Sequence, residues 1–424
     1  MLNPAMPSPA GPSGRDARWV GLVELADLDP AATTLDLAAA DGYWLARLLI
    51  RDAGVVRGYV TLPITGGRVD LADLRTRAAR LPVPDAAPEP DVLPAMSVVV
   101  CTRERPAMLR EALGSLVALD YSDFEVIVVD NAPLTTGTAE VAAAFGVRYV
   151  VAPVAGLSRA RNTGLAAARN GIVAFTDDDV VVDHQWLRGL AKGFARGADI
   201  ACVSGLVPSG ELRNAVQAYF DARVSWSKVL TPRQFRLSAP PSDLPMFPFC
   251  VGEYGTGANF AVRADTVRAL GGFDEALGVG TRTKGGEDLD IFTRVLFAGH
   301  GLAIEPAALV WHRHRDDLDA LRAQAIGYGR GLGAWLTKVA TRPRPLGMAL
   351  ARAPQAVQRL VHKPMTTVED PDLADAVPLP DDDALAAEIG RIGRLELLQV
   401  LVGPGCYLAE QAKRITSKRA AVPA

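Results

Sequence analysis

The sequence predicts an α/β fold in which a mostly parallel sheet is flanked by helices, with a small N-terminal α+β domain before it and a helical extension after it. Three observations carry that reading. Between residues 97 and 176, short β-branched runs alternate with apolar residues at helical spacing, the pattern of parallel strands joined by helices. Three of those runs end in polar clusters, and open α/β sheets bind ligands outside the carboxyl ends of their strands. After residue 316 the charges segregate: 321–363 hold eight Lys or Arg and no acid, and 366–389 hold eight Asp or Glu and no base.

Residues 1–17 contain early prolines and no apolar run, and predict a disordered tail rather than a signal peptide. Within 18–82, Tyr43–Ile50 and Val55–Pro63 read as strands joined at Arg51-Asp52-Ala53-Gly54, and Leu71–Leu81 as a short helix. The proline-rich stretch over 83–95 is a linker. The domain over 96–315 opens with the buried strand Ser97–Cys101. From Pro106 to Val117, the residues Leu109, Leu113, Leu116 and Val117 share one helix face. Strand Glu125–Asp130, helix Thr138–Phe145, strand Val147–Val151, helix Ser158–Arg169 and strand Ile172–Thr176 follow, with Ser158 as a helix cap. Residues 205–315 are less regular, apart from a strand-like Ala308–Trp311, and 316–424 read as helical.

A chain of 424 residues suits two or three domains. With 49% hydrophobic and 22% charged residues it can bury a core, and its net charge of −3 offers no basic field for nucleic acid. Cys101, Cys202, Cys250 and Cys406 form no CxxC pair, so reduced thiols in the cytoplasm are expected and a cysteine zinc site is not. No uninterrupted apolar run reaches the roughly 18 residues of a membrane span. The longest candidate near the end, Leu395–Ala409, contains Gly403-Pro404-Gly405.

The chemistry starts with Asp177-Asp178-Asp179 at a strand end. Three adjacent carboxylates repel unless a cation lies among them, and such oxygen ligands suit Mg²⁺ or Mn²⁺; a solvated acidic turn is the plainer alternative. Asp130 ends the second strand over the same crevice. It can accept from a pyrimidine imide NH or a ribose hydroxyl, or form a turn with Asn131 and Pro133. Gly156–Gly164 opens a helix, whose N-terminus favours anions, and Arg159, Arg161 and Asn162 add donors. Glu287-Asp288 begin another helix, where acids favour the dipole and a carboxylate can also accept a proton. His312 and His314 stand in a His-Arg-His run beside Trp311. No GxGxxG follows the first strand, and a P-loop is absent. Gly329-x-Gly331-x-x-Ala334 follows no strand and reads as chance. Gly278–Lys284 only faintly echoes the loop of sugar nucleotidyltransferases.

Taken in order, SVVVCTRERP, FEVIVVDNAP, GLSRARNTGL, AFTDDDVVVD, GTGANFAVR, GGFDEALG, GGEDLDIFTRVL and VWHRHR resemble the inverting family-two glycosyltransferases of the GT-A fold, over Met96–Arg315. The match looks closest to the bacterial rhamnosyl- and galactofuranosyltransferase branch. The resemblance implies that Thr102, Arg103, Arg105 and Asp130 bind the nucleoside end of the donor. It implies that Arg161 and Asn162 close over the nucleotide and its sugar, and that Asp177 and Asp178 of the DxD motif contact the nucleotide sugar. Asp177, Asp179 and His312 would hold Mn²⁺ or Mg²⁺, with His314 as the competitor of His312. Asp288 of the Glu287-Asp288 pair would be the catalytic base.

The implied partners are a nucleotide-diphosphate sugar and an acceptor that is a glycan, a lipid-linked molecule or a small metabolite, in cell-envelope or polysaccharide biosynthesis. The QxxRW motif and membrane helices of processive synthases are missing, so single transfers are expected. A catalytically silent sugar-nucleotide or glycan-binding protein and a sugar nucleotidyltransferase stand as alternatives. Residues 321–363 mix eight cations with Leu, Trp, Ile, Met and Val, which predicts a helix at an anionic membrane surface and a cytoplasmic enzyme peripheral on the inner face. The competing expectation is that this stretch packs internally against the acidic 366–389.

Overall fold

The computed structural model describes residues 1–14, 17–85, 89–362 and 383–420. Strands β1 (Arg18–Glu24), β2 (Thr34–Asp36), β3 (Leu45–Asp52), β4 (Val55–Pro63) and β5 (Arg68–Asp70) precede helix α1 (Leu71–Ala78). β1, β3 and β4 form one small sheet, with β1 parallel to β3, and β2 pairs with β5.

The expected alternation follows: β6 (Met96–Thr102), α2 (Pro106–Val117), β7 (Phe124–Asn131), α3 (Gly137–Ala144), β8 (Arg148–Ala152), α4 (Leu157–Ala167) and β9 (Ile172–Thr176). In space the order is β8, β7, β6, β9, all parallel. The β-branched run of β6 is uninterrupted because both of its faces are covered. Val98 and Val100 pack with α2, while Val99 and Cys101 pack with Ala160, Leu165 and Phe175 on the other side.

The less regular third of the domain completes this sheet. It contains β10 (Val180–Val182), α5 (Trp186–Ala195), β11 (Ile200–Leu206), α6 (Ala215–Arg223), β12 (Arg233–Phe235), β13 (Asn259–Arg263), α7 (Ala264–Ala269), α8 (Glu287–Phe297) and β14 (Gly301–His312). β13 runs antiparallel between β9 and β11, and β14 is parallel to β11, so the sheet is mixed but mostly parallel. The carboxyl ends of β6, β7, β9 and β14 therefore share one edge. α9 (Leu318–Ala340), α10 (Pro343–His362) and α11 (Asp383–Ala420) form the helical extension. The α/β architecture expected from the sequence, a mostly parallel sheet flanked by helices with a helical extension, is the architecture found.

Some local expectations need correction. The stretch read as a disordered tail is anchored at Met6, although most of its other described residues are exposed. Met6 is buried with Val20, Leu49, Leu206, Leu309 and Trp311, in space that a side chain at Gly210 would fill, and the Ala5 amide donates to Val20 O at 2.9 Å. Ser158 does not cap α4: Gly156 occupies that position, and Ser158 Oγ donates to Leu277 O at 2.8 Å. α11 runs straight through Gly403-Pro404-Gly405. The basic stretch over 321–363 includes α9, which is inserted between α8 and α11, with Lys338 bound to both Asp274 and Asp290 at 2.8 Å. Most of the acidic stretch lies outside the described residues. Its last acid, Glu388, does pair with Arg322.

The small sheet is joined to the central one by buried charges. Arg47 pairs with Asp221, and Arg51 Nη1 lies 2.9 Å from Asp183 Oδ1. Asp183 follows β10, and Asp221 accepts from Ser209 Oγ at 2.6 Å, beside the bridge between Ser209 and His312. Both arginines therefore brace segments that flank the end of β14.

Candidate active site

Residues at the shared strand edge build the site. Strand β10 returns antiparallel to β14 and sets Val180 opposite His312, which folds the acidic triplet back over the imidazole. Asp177, Asp179 and His312 offer ligand atoms that all lie within 4.8 Å of one another. His312 Nε2 is 3.3 Å from Asp179 Oδ1, and His312 Nδ1 has no hydrogen-bond partner. Burial pushes the His312 imidazole down, toward the neutral form a metal ligand needs. Two carboxylate oxygens and a neutral imidazole nitrogen fit Mn²⁺, and the oxygens also fit Mg²⁺. His314 stacks on His312 with ring centroids 4.9 Å apart, but it sits against Phe220, outside that ligand group.

The loop after β6 reaches the same triplet. Thr102 Oγ1 donates to Asp178 Oδ2 at 2.6 Å, and Arg105 Nη1 reaches Asp178 Oδ1 at 3.0 Å and Asp179 Oδ2 at 3.3 Å. Arg103 is exposed. Glu104, at φ +54°, fixes the loop by accepting from the Leu134 and Thr135 amides at 2.7 and 3.2 Å. Asp130 lies buried at the end of β7 and accepts from the Tyr149 hydroxyl at 2.8 Å.

The triplet is unevenly neutralised. Burial pushes Asp177 up against the pull of Arg161, and Asp179 and Asp178 push the same way. Asp178 is also raised, by burial and by Asp179, despite Thr102 and Arg105. Asp179 is lowered although burial acts upward, because His312, Arg315 and Arg105 face it.

Arg161 and Asn162 both stand in α4, yet their surroundings differ. Arg161 is buried, donates to Glu287 Oε1 at 2.8 Å and Gly257 O at 3.0 Å, and lies 3.8 Å from Asp177 Oδ1. It thus links the triplet to the acidic pair. Asn162 does not reach this crevice with a free amide: Nδ2 donates to Phe273 O at 2.9 Å and Oδ1 accepts from the Phe273 amide at 2.7 Å. That bidentate grip holds the Gly271-Gly272 turn and occupies both polar atoms of the Asn162 amide. Gly286, at φ +91°, precedes α8, which begins at Glu287. Glu287 is buried and raised, mainly by burial and then by Asp288. Asp288 is half-buried, with Oδ2 accepting from the Gly257 amide at 3.0 Å.

Sequence reasoning missed Arg315, whose Nη2 lies 3.6 Å from Asp179 Oδ2, although it directly follows the His-Arg-His run. It also missed Tyr149 and Gly257, for which no local signal exists. The Gly278–Lys284 loop is not a phosphate cradle. Its Gly280 packs against Gly156, and Val279 O accepts from the Leu157 amide at 2.8 Å.

The edge of parallel strands thus carries a carboxylate–imidazole group that could hold a metal ion and, linked to it through Arg161, a second acidic pair. Residues 97–253 match the family model Glycosyl transferase family 2. The chain is similar to the pre-mycofactocin glycosyltransferase of Mycobacterium tuberculosis, 31% identical over 55% of this chain and 46% of that protein. It is also similar to the succinoglycan biosynthesis protein ExoM of Rhizobium meliloti, 33% identical over 51% of this chain and 65% of that one. The matched region thus spans about half to two thirds of these relatives. A solved mannosyltransferase from Pyrobaculum calidifontis, in complex with GDP-Man and Mn²⁺, has a TM-score of 0.46 and 18% identity, covering 82% of this chain and 94% of that one.

Proposed function

We propose that this chain is an inverting, metal-dependent glycosyltransferase that moves one sugar from a nucleotide-diphosphate donor to an acceptor hydroxyl. The observation that carries the reading is the convergence on one strand edge of the Asp177–Asp179–His312 group and, linked through Arg161, the Glu287-Asp288 pair. The family-two domain and the glycosyltransferase relatives support the same class.

In this reading Asp130 and the Thr102–Arg105 loop receive the nucleoside. Asp177, Asp179 and His312 would hold Mn²⁺ or Mg²⁺, which would stabilise charge on the departing diphosphate. Arg105 and Arg315, whose side chains keep 40% and 37% exposure, turn from the carboxylates to the phosphates and add donors. Glu287 is committed to Arg161, which leaves Asp288 to take the proton of the acceptor hydroxyl as it attacks the anomeric carbon. The bond from that carbon to the phosphate oxygen breaks on the opposite side, so the configuration inverts. His312 among the ligands favours the rhamnosyl- or galactofuranosyl-type branch. The finer reading places the enzyme in cell-envelope or polysaccharide biosynthesis, in the cytoplasm and peripheral on the inner membrane face. Among the described residues no helix is long and apolar enough to cross a membrane.

The test is a panel of UDP-, dTDP- and GDP-sugars with Mn²⁺. Binding of one donor, slow release of its nucleoside diphosphate, and loss of that release in EDTA are expected. Absence of donor binding across the panel, or full turnover in chelator, would overturn the reading.

A further inference from the structure

The run Gly327-Tyr-Gly-Arg-Gly-Leu-Gly333 has a use that no nucleotide motif explains. One side of α9 meets the catalytic loop: a Cβ on Gly331 would lie 2.7 Å from Gly285 C, and one on Gly286 2.6 Å from Gly331 O. The other side meets α11, where side chains at Gly329 and Gly333 would strike the backbone at Glu396 and Val400. Gly403 of α11 answers, with room for a Cβ only 2.6 Å from Arg330 O. Glycine thus lets three layers of backbone touch: α11, α9 and the loop before Asp288.

Among the described residues, nothing covers the side of α11 that faces away from α9. Leu398, Leu401, Leu408 and Ile415 are 61%, 78%, 58% and 56% exposed, and their spacing puts them on one helix face. Leu397 and Val402, at 45% and 42%, widen the stripe. Arg391 and Arg394 are exposed at one end, Arg391 also meeting Glu388 at 2.9 Å, and Lys413 is exposed at the other, followed in sequence by Lys418 and Arg419. The exposed residues between Arg391 and Thr416 include no carboxylate, because Glu396 is buried against Arg223 and Glu410 is turned toward Arg282.

We propose that this outer face of α11 docks on an anionic lipid bilayer. Its leucines enter the interface and Arg391 and Arg394 meet the headgroups. A second copy fits poorly. Packed parallel, it would set Arg391 and Arg394 against themselves; packed antiparallel, it would set them against the basic end. The surface is α11, not the basic stretch of α9, whose Lys338 is already committed to Asp274 and Asp290. This deepens the peripheral location proposed above but stands on α11 alone.

The experiment is co-sedimentation of the full chain with phosphatidylcholine vesicles, with and without phosphatidylglycerol, across a salt series. Light scattering of the lipid-free protein runs alongside. Binding should rise with phosphatidylglycerol and fall with salt. Leu398→Gln/Leu401→Gln/Leu408→Gln should weaken it about tenfold or more while leaving the unfolding midpoint in place. Leu401→Glu alone, at the most exposed position, gives the same direction should the triple variant unfold. Arg391→Glu/Arg394→Glu should lower the phosphatidylglycerol dependence. Absence of binding to anionic vesicles overturns the proposal. So does a wild-type dimer that the leucine variants split. Vesicle binding without donor turnover would keep this inference and sink the proposed function, and the converse result would do the opposite.

Discussion

Two groups of buried carboxylates sit in the same domain and behave in opposite ways. At the base of the helical extension, Asp274 is met by Lys338 Nζ at 2.8 Å, Arg414 Nη1 at 2.6 Å and the Tyr407 hydroxyl at 3.0 Å. Asp290 shares the same Lys338 and takes Arg294 Nε at 2.7 Å. Burial acts upward on Asp274, yet Lys338 and the other partners bring it down to about 2. At the strand edge, three guanidiniums and an imidazole face Asp177, Asp178 and Asp179, yet Asp177 and Asp178 remain raised. The first group is complete without a ligand. The second shares Arg161 with Glu287 and leaves Asp177 and Asp178 raised by burial, and that imbalance marks a site rather than a strut.

The largest effect should come from emptying the incomplete group. Asp179→Ala is expected to remove Mn²⁺ binding and turnover altogether while barely moving the unfolding midpoint, since it also relieves repulsion on Asp178. Mn²⁺ titration followed by electron paramagnetic resonance, beside calorimetry, checks both halves. A variant that still binds Mn²⁺ tightly would erase the contrast.

Next is the acidic pair. Asp288→Asn keeps the shape and removes the acceptor, and kcat should fall by about 10²–10⁴ with donor affinity retained. If Glu287→Gln were inactive and Asp288→Asn active, the roles within the pair would be exchanged.

The complete group should respond in stability instead. Lys338→Met leaves two buried carboxylates short of a partner, at a cost of about 3–5 kcal/mol in urea unfolding. A loss below about 1 kcal/mol would show the other cations to be sufficient.

Acid should give the smallest effect, with opposite signs for the two groups. The folded pKa of Asp274 lies at about 2, below its ordinary value of 3.8. It therefore contributes about 2 kcal/mol that is present above pH ~4 and lost as pH falls through about 2, measurable against Asp274→Asn. Asp177 and Asp178 are raised, so metal-free protein binds more protons folded than unfolded there, and their share of stability falls as pH rises from the ordinary carboxylate value through the folded ones, about 8 for Asp177. Mn²⁺ should cancel that decline.

What could be read in advance follows from how local each cause is. The runs of β6 and β9 and the face of α2 are set by neighbours in sequence, and they appear as expected. The meeting of Asp177, Asp179 and His312 was legible only through the family resemblance, because β10 and β14 bring together residues more than 130 positions apart. The hold of Asn162 on Phe273 was not legible because the two lie 111 positions apart. Met6 was misread because the cavity it fills is created by Gly210. The glycine run of α9 looked like chance because its reason lies in Gly285, Gly331 and α11, not in any strand beside it.

The layering of α11, α9 and the loop at Gly285-Gly286 also has the character of a gauge. Closely packed helices stand about 8 Å axis to axis, and a helix with its side chains is about 10 Å thick. Asp288 is therefore held about 20 Å above the plane traced by the outer leucines of α11. Under the docking proposed above, an acceptor anchored in that plane would carry its reacting hydroxyl at the same altitude, which suits the distal sugar of a lipid-borne oligosaccharide better than a bare lipid alcohol. The glycines that let the layers touch keep that altitude at its minimum, and any side chain introduced among them would raise it.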